Sequence, residues 1–355
     1  MSSGWTRCRE LIAELMALPQ SIRGGPGFHG SVSDHFDGQR FFNPGAPTGR
    51  SFAEFLRWQR TRHAVAWPRW RENERVPSLP VALAAGEIAL TYINHVTFLI
   101  QLPGLNVLTD PVYSERASPV RWAGPRRVHA PGLPFERLPP IDLVFVSHNH
   151  YDHTDLSTLR RLAAAHAPLF LTGLGNGIFL RQQGITPVVE LDWWEQTSLR
   201  GVQLMFTPAQ HWSTRGWGLK NHTLWGGLWI ATAKQSLYFA ADAGYSPWFQ
   251  ELRRRYGAPD MALLPIGGYE PRWFMREHHM NPDDAVRAHV DLGANTSVAM
   301  HFGCFRLTDE GIDEPLLALE RARAAHGVAT DSFYSPRPGE TMLWRETAPE
   351  ALAAP

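Results

Sequence analysis

Ile141-Asp142-Leu143-Val144-Phe145-Val146-Ser147-His148-Asn149-His150-Tyr151-Asp152-His153 is the stretch that decides the fold: an apolar run followed at once by three imidazoles and a carboxylate. The run has the length and β-branched character of a strand buried on both faces, so it ends at the rim of a sheet. A loop leaving that rim can turn His148 and His150 one way and Asp152 with His153 another. Two ligand pairs on one loop point to two metal ions. Neutral imidazole and carboxylate oxygen suit zinc, iron or manganese, and a set without cysteine keeps positions open for water, as catalytic sites do. The competing reading, a histidine-rich surface turn, does not explain why the cluster follows a buried strand.

A loop with four donors is too small for two ions, so further ligands are expected where other apolar runs end. His211 follows Phe206-Thr207-Pro208-Ala209-Gln210, Asp242 follows Tyr238-Phe239-Ala240-Ala241, and His301 follows Val298-Ala299-Met300. Taken singly, each reads as a hydrogen-bonded loop residue. Taken with the loop they complete a site: His148, His150 and His211 for one ion, Asp152, His153 and His301 for the other. Asp242 is shared, because a carboxylate has two oxygens to give to two ions. Asp110 is expected to support the ligand loops through hydrogen bonds, as metal-bound imidazoles require of some neighbour. His95 reads as structural, and Cys304, three residues past His301, as a buried apolar residue.

Composition narrows the class of protein. The chain has 355 residues, 44% of them hydrophobic, enough for a sizeable core. Its 34 basic and 34 acidic residues balance, so no global field favours nucleic acid. Cys8 and Cys304 give no disulfide framework, which fits a reducing, cytoplasmic setting. No apolar stretch reaches the roughly 18 residues that a membrane span needs.

Trp5 to Leu18 carries the periodicity of a short amphipathic helix. Residues 41–70 mix Trp58, Trp67 and Trp70 with Arg57, Arg60 and Arg62, a composition that can wrap a core or lie on a lipid headgroup layer. From Glu87 onward strand runs alternate with helices expected at Leu156 to His166, Trp248 to Arg255, Asp283 to Val290 and Leu316 to Ala325. Strands with interleaved helices in each half imply an α/β protein, an αββα sandwich of two mostly antiparallel sheets packed face to face with helices outside. The expected organisation is an N-terminal extension over residues 1–80, a catalytic domain over 81–345 and a tail over 346–355.

The H-x-H-x-D-H loop followed by His, Asp and His resembles the metallo-β-lactamase fold. Three further runs resemble N-acyl-phosphatidylethanolamine-hydrolysing phospholipase D: Thr109-Asp110-Pro111-Val112-Tyr113, Asp192-Trp193-Trp194-Glu195 and Tyr269-Glu270-Pro271-Arg272-Trp273-Phe274-Met275. The likeness extends from about Phe41 past His301. It implies two zinc ions on the seven residues already chosen, with Asp152 and Asp242 central to catalysis. It also implies lipid contacts at Tyr151 and His279, the latter in Glu277-His278-His279-Met280-Asn281-Pro282. The register of that motif favours His279 over His278, and His279 becomes a candidate for orienting the phosphate or protonating the leaving group. The reaction implied is hydrolysis of N-acyl-phosphatidylethanolamine to N-acylethanolamine and phosphatidic acid by a metal-bridging hydroxide. A homodimer and peripheral membrane contact are implied with it. Two departures stand out, Asn94 and Ala241, each where the family pattern has glycine. The alternative is a metal-dependent lactonase or other hydrolase of a soluble phosphorylated metabolite, since one fold hosts many chemistries.

Overall fold

A computed structural model describes residues 25–47, 50–216 and 219–345. The helix expected over Trp5 to Leu18, Cys8 and the tail over 346–355 lie outside the described residues. Strands β1 (Glu87–Asn94), β2 (Thr97–Leu102) and β3 (Leu105–Thr109) form an antiparallel meander. β4 (Leu143–Val146), β5 (Leu169–Gly173) and β6 (Val188–Leu191) then add in parallel, and β14 (Thr341–Arg345) closes the other edge against β1. The second sheet repeats this plan. β7 (Gln196–Leu199), β8 (Val202–Thr207), β9 (Gly227–Ala231) and β10 (Ser236–Phe239) pair antiparallel, and β11 (Met261–Pro265), β12 (Thr296–Met300) and β13 (Phe333–Tyr334) follow in parallel.

The two seven-stranded sheets make the sandwich that the sequence implies, an αββα arrangement. Each sheet is evenly mixed rather than mostly antiparallel, with three antiparallel and three parallel pairings. The reason is the crossovers: α2 (Leu156–His166) carries the chain from β4 to β5, and α3 (Asn176–Gln182) from β5 to β6. A strand that follows a helical crossover re-enters the sheet in the same direction. In the second sheet α4 (Trp248–Tyr256) and α5 (Pro282–Leu292) do the same, and α6 (Glu314–His326) packs on α5.

Alternation along the strands sorts side chains into layers. On β2, Phe98 and Ile100 belong to the core between the sheets, while Leu99 faces the layer under α2 and α3 with Leu159, Leu162 and Phe179. β4 is buried on both faces, Phe145 inward and Val144 outward, which explains its unbroken apolar run. Phe145 meets Phe206 and Phe239 of the opposite sheet at ring distances of 6.0 and 5.9 Å. Burying each such side chain contributes about 1.5–3 kcal/mol.

The stretch before β1 is fastened to this body. Phe36 and Phe41 are in the core between the sheets, and α1 (Phe52–Thr61) stacks Trp58 on Phe274 at 5.0 Å. Trp58 Nε1–H donates to Asp309 at 2.8 Å and Arg62 pairs with the same carboxylate. Near the start of the described chain, His35 stacks on Trp193 at 4.4 Å and bridges Asp34 and Asp192 at 2.6 and 2.7 Å. Burial opposes protonation of His35, but the hydrogen bonds to Asp192 and Asp34 prevail and raise its pKa above 6.5.

A pKa raised on folding gives stability that is complete below the unfolded value and is lost as pH rises through the folded one. His35→Phe keeps the stacking and removes the proton. Relative to wild type it is expected to lose about 1 kcal/mol, roughly 2 °C in melting temperature, at pH 6, and little at pH 9. Thermal unfolding at the two pH values checks this; an equal loss at both would assign the contribution to packing.

Candidate metal centre

Six strand ends converge on one rim. β1, β3 and β4 run in one direction within their sheet, as β8, β10 and β12 do in theirs. Past their C-terminal ends come His95, Asp110, the Ser147–His153 loop, His211, Asp242 and His301. The chain turns abruptly there. His95, Asp110, Ala241 and His301 all have positive φ, between 33° and 60°, a left-handed conformation that costs a residue with a Cβ. Ala241 stands where the family pattern has glycine, and its φ of 53° shows the conformation that glycine would take without strain. Gly267 and Gly268 let the loop after the neighbouring strand β11 approach His301: a Cβ on Gly267 would lie 2.1 Å from the His301 carbonyl oxygen.

The seven predicted ligands come together as two groups joined by one carboxylate. In the first, His148 Nε2 lies 2.8 Å from His150 Nδ1, which lies 3.4 Å from His211 Nε2. Asp242 Oδ2 is 3.6 Å from His211 Nε2 and 4.0 Å from His148 Nε2. In the second, Asp152 Oδ2 is 3.5 Å from both His153 Nε2 and His301 Nε2. Asp242 closes this group too, with Oδ2 3.2 Å from His153 Nε2 and Oδ1 3.3 Å from His301 Nε2. The donor atoms of the first group lie within 4.8 Å of one another, as do those of Asp152, His153 and His301 with His95, and those of Asp242 and His301 with His279.

Hydrogen bonds behind the imidazoles fix which nitrogen faces inward. His153 Nδ1–H donates to Asp110 Oδ2 at 2.7 Å, and His211 Nδ1–H donates to the His278 carbonyl at 2.9 Å. The Ser147 hydroxyl donates to Asp110 at 2.6 Å and accepts from His148 Nδ1 at 2.9 Å. Each arrangement turns Nε2 toward the centre. Asp110 thus holds Ser147 and His153 at once, the supporting role expected of it.

Charge and burial suit metal ions. Asp152 and Asp242 are buried, which by itself favours their neutral forms, yet surrounding imidazoles (His153 foremost for Asp152, His301 for Asp242) keep both ionised. Burial lowers the pKa of His148 and His211 far below 6.5 and that of His150 to about 4, so these rings are neutral. For His153 burial acts the same way, but Asp242 and Asp152 outweigh it and raise the value. His153 Nε2, His301 Nε2 and Asp242 Oδ1 are buried without a hydrogen-bond partner among the described residues. Bare nitrogens and an ionised carboxylate pointing at one another are a donor set for divalent cations.

His95 is more than the structural residue that its sequence suggests. Its Nε2 lies 3.1 Å from Asp152 Oδ2, its carbonyl accepts from the His301 amide at 2.8 Å, and its ring lies 4.2 Å from that of His301. The sequence signal was available, since His95 follows the end of β1 as the other candidates follow their strands. Arg215 had no such signal. Its guanidinium donates to the carbonyls of Asn149 at 3.1 Å and Thr154 at 2.8 Å, clamping both ends of the histidine loop.

His279 faces the shared carboxylate, Nδ1 3.9 Å from Asp242 Oδ2, with burial lowering its pKa to about 4. Tyr151 lies beside the centre, its hydroxyl donating to the Arg215 carbonyl at 2.9 Å and its ring 4.2 Å from the Arg215 guanidinium. Cys304 is fully buried and its thiol is pushed up to about 12 by burial, in keeping with an apolar role. The centre opens into a cavity of about 790 Å³. Its walls include Phe52, Phe55, Trp58, Trp212, Phe274 and Met275, so it is mainly apolar.

Residues 105–302 match the beta-lactamase superfamily domain. Isothiocyanate hydrolase from Delia radicum gut bacteria is similar in structure, with a TM-score of 0.58 over 72% of this chain and 99% of that one. At 22% identity this likeness shows the fold alone. The chain is 36% identical over 237 residues to the N-acyl-phosphatidylethanolamine-hydrolyzing phospholipase D 1 of Caenorhabditis elegans, covering 63% of this chain and 67% of that protein. It is 33% identical over 245 residues to the mitochondrial N-acyl-phosphatidylethanolamine-hydrolyzing phospholipase D of Saccharomyces cerevisiae, covering 67% of this chain and 52% of that protein. The chain therefore belongs to the metallo-β-lactamase superfamily of metal-dependent hydrolases and, within it, to the N-acyl-phosphatidylethanolamine-hydrolysing phospholipase D family.

Proposed function

We propose that the protein is a dinuclear zinc phosphodiesterase of phospholipase D type that hydrolyses N-acyl-phosphatidylethanolamine to N-acylethanolamine and phosphatidic acid. The observation that carries this reading is the join between two features, a buried His/Asp centre and a large apolar cavity open to it. A phosphodiester with long acyl chains uses both, the charged centre for its phosphate and the apolar walls for its chains.

His148, His150, His211 and Asp242 would hold one ion, and Asp152, His153, His301 and Asp242 the other. When bound, such a pair supplies positive charge for a phosphoryl oxygen and lowers the pKa of water to near neutrality. The chain's own residues supply position. Asp110 and Ser147 hold the imidazoles in the tautomers that face inward. His279, neutral in its buried setting, has an N–H to offer to a phosphoryl oxygen or to the departing alkoxide. Tyr151 and Arg215 form the wall past which the headgroup enters, and the apolar side chains around Phe274 exclude water from the chains. Phe52, on the cavity wall, is 55% exposed, and Trp122, in the segment whose Val120 and Ala123 line the cavity, is 61% exposed. Exposed aromatics of this kind suit peripheral contact with a lipid surface. No helix among the described residues is long and apolar enough to cross a membrane.

Metal-quantified protein is expected to co-sediment with vesicles containing N-acyl-phosphatidylethanolamine and to release N-acylethanolamine and phosphatidic acid in equal amounts. Turnover of a phosphorylated lactone or soluble phosphodiester with none of the lipid would remove the lipid reading and leave the centre in place. His279→Ala should lower kcat roughly 10²-fold while the bound metal stays constant. Loss of metal with the activity would instead make His279 a ligand.

A further inference from the structure

His278 is a buried polar side chain that the mechanism above does not use. It is 3% exposed and lines the apolar cavity, and both ring nitrogens are buried without a hydrogen-bond partner among the described residues. Its backbone is fully engaged. The amide donates to the Met275 carbonyl at 2.8 Å and the carbonyl accepts from His211 Nδ1 at 2.9 Å, so main chain anchors the residue and leaves the ring to the cavity. Its ring lies 6.3 Å from that of Trp212 and 6.2 Å from that of His211. It therefore stands where the apolar wall meets the first ligand group.

We infer that His278 recognises the secondary amide of an N-acylated lipid, forming a hydrogen bond to it inside the otherwise apolar cavity. This rests on the lipid reading of the cavity and adds which polar group of the lipid is read. A neutral imidazole has one N–H to give and one lone pair to receive. A secondary amide matches either with its carbonyl or its N–H, and it carries no charge into an apolar wall. The cations nearby are already engaged: Lys220 Nζ donates to the Arg50 carbonyl at 2.9 Å, and Arg50 binds the Phe274 carbonyl at 2.8 Å and Glu54. A free ammonium in place of the amide would stand beside these cations, and the nearby Glu54 carboxylate is already paired with Arg50.

The test is a binding measurement on the metal-loaded full chain, following tryptophan fluorescence with N-oleoylethanolamine and with oleyl alcohol, which lacks the amide. Wild type is expected to bind the amide roughly 10-fold more tightly, the worth of one buried hydrogen bond. His278→Leu and His278→Met, two apolar replacements made so that one misfolded variant does not end the test, should bring the two ligands level by weakening only the amide. His278→Gln, which keeps a donor and an acceptor, should restore most of the preference. Absence of amide preference in wild type overturns the inference. So does its survival in a folded apolar variant, or an equal weakening of both ligands, which would mark a packing role. Because no turnover is read, a protein that prefers the amide yet leaves N-acyl-phosphatidylethanolamine intact would keep this inference and lose the proposed reaction.

Discussion

Two carboxylates buried side by side among imidazoles set the terms for the rest of the structure. Asp152 and Asp242 are both accessible to solvent at less than a tenth of their surface, and both stay ionised. A buried anion is stable only when opposite charge and hydrogen bonds surround it. Four of the five candidate ligand imidazoles lie within 4.0 Å of one or both carboxylates, while His150 joins through His148 and His211. Asp242 sits at the junction, one oxygen near His301 and the other near His153 and His211. Neither group of donors is complete without it.

The sandwich exists to hold that junction. Like-directed strands from the two sheets end at one rim, and left-handed turns just beyond four of them throw side chains inward. The strain is held by anchors that are themselves buried. Asp110 ties two residues of the histidine loop together, and Arg215 clamps the loop across Asn149 and Thr154. Asp155 caps α2 while accepting from the amides of Tyr113 and Ser114, which joins the loop's exit to the segment after β3. The cavity follows from the same layout, since α1 and the short helical turn Arg272–Met275 cover the rim with apolar side chains rather than with backbone.

Much of this was legible in the sequence because it rests on local pattern. Runs such as Leu143–Val146 and Met261–Pro265 are apolar throughout since both faces are covered, and polar residues immediately past such runs mark the rim. The seven candidate ligands were found in that way. Other features depend on contacts that leave no local trace. β7, Gln-Thr-Ser-Leu, is a polar edge strand specified by pairing with β8, and the parallel half of each sheet follows from crossovers rather than from strand composition. α3 begins at Gly175-Asn176-Gly177, which reads as a turn. Arg215 looks ordinary in sequence because its partners, the two loop carbonyls, are more than sixty residues away along the chain.

The claim at the centre of this account is that one carboxylate completes two ligand groups, and metal content tests it directly. Native mass spectrometry of the full chain loaded with zinc should give two ions per chain, and Asp242→Asn, with its fold checked by circular dichroism, should retain neither. A wild-type protein holding a single ion, or a folded variant still holding two, would contradict the shared-carboxylate centre.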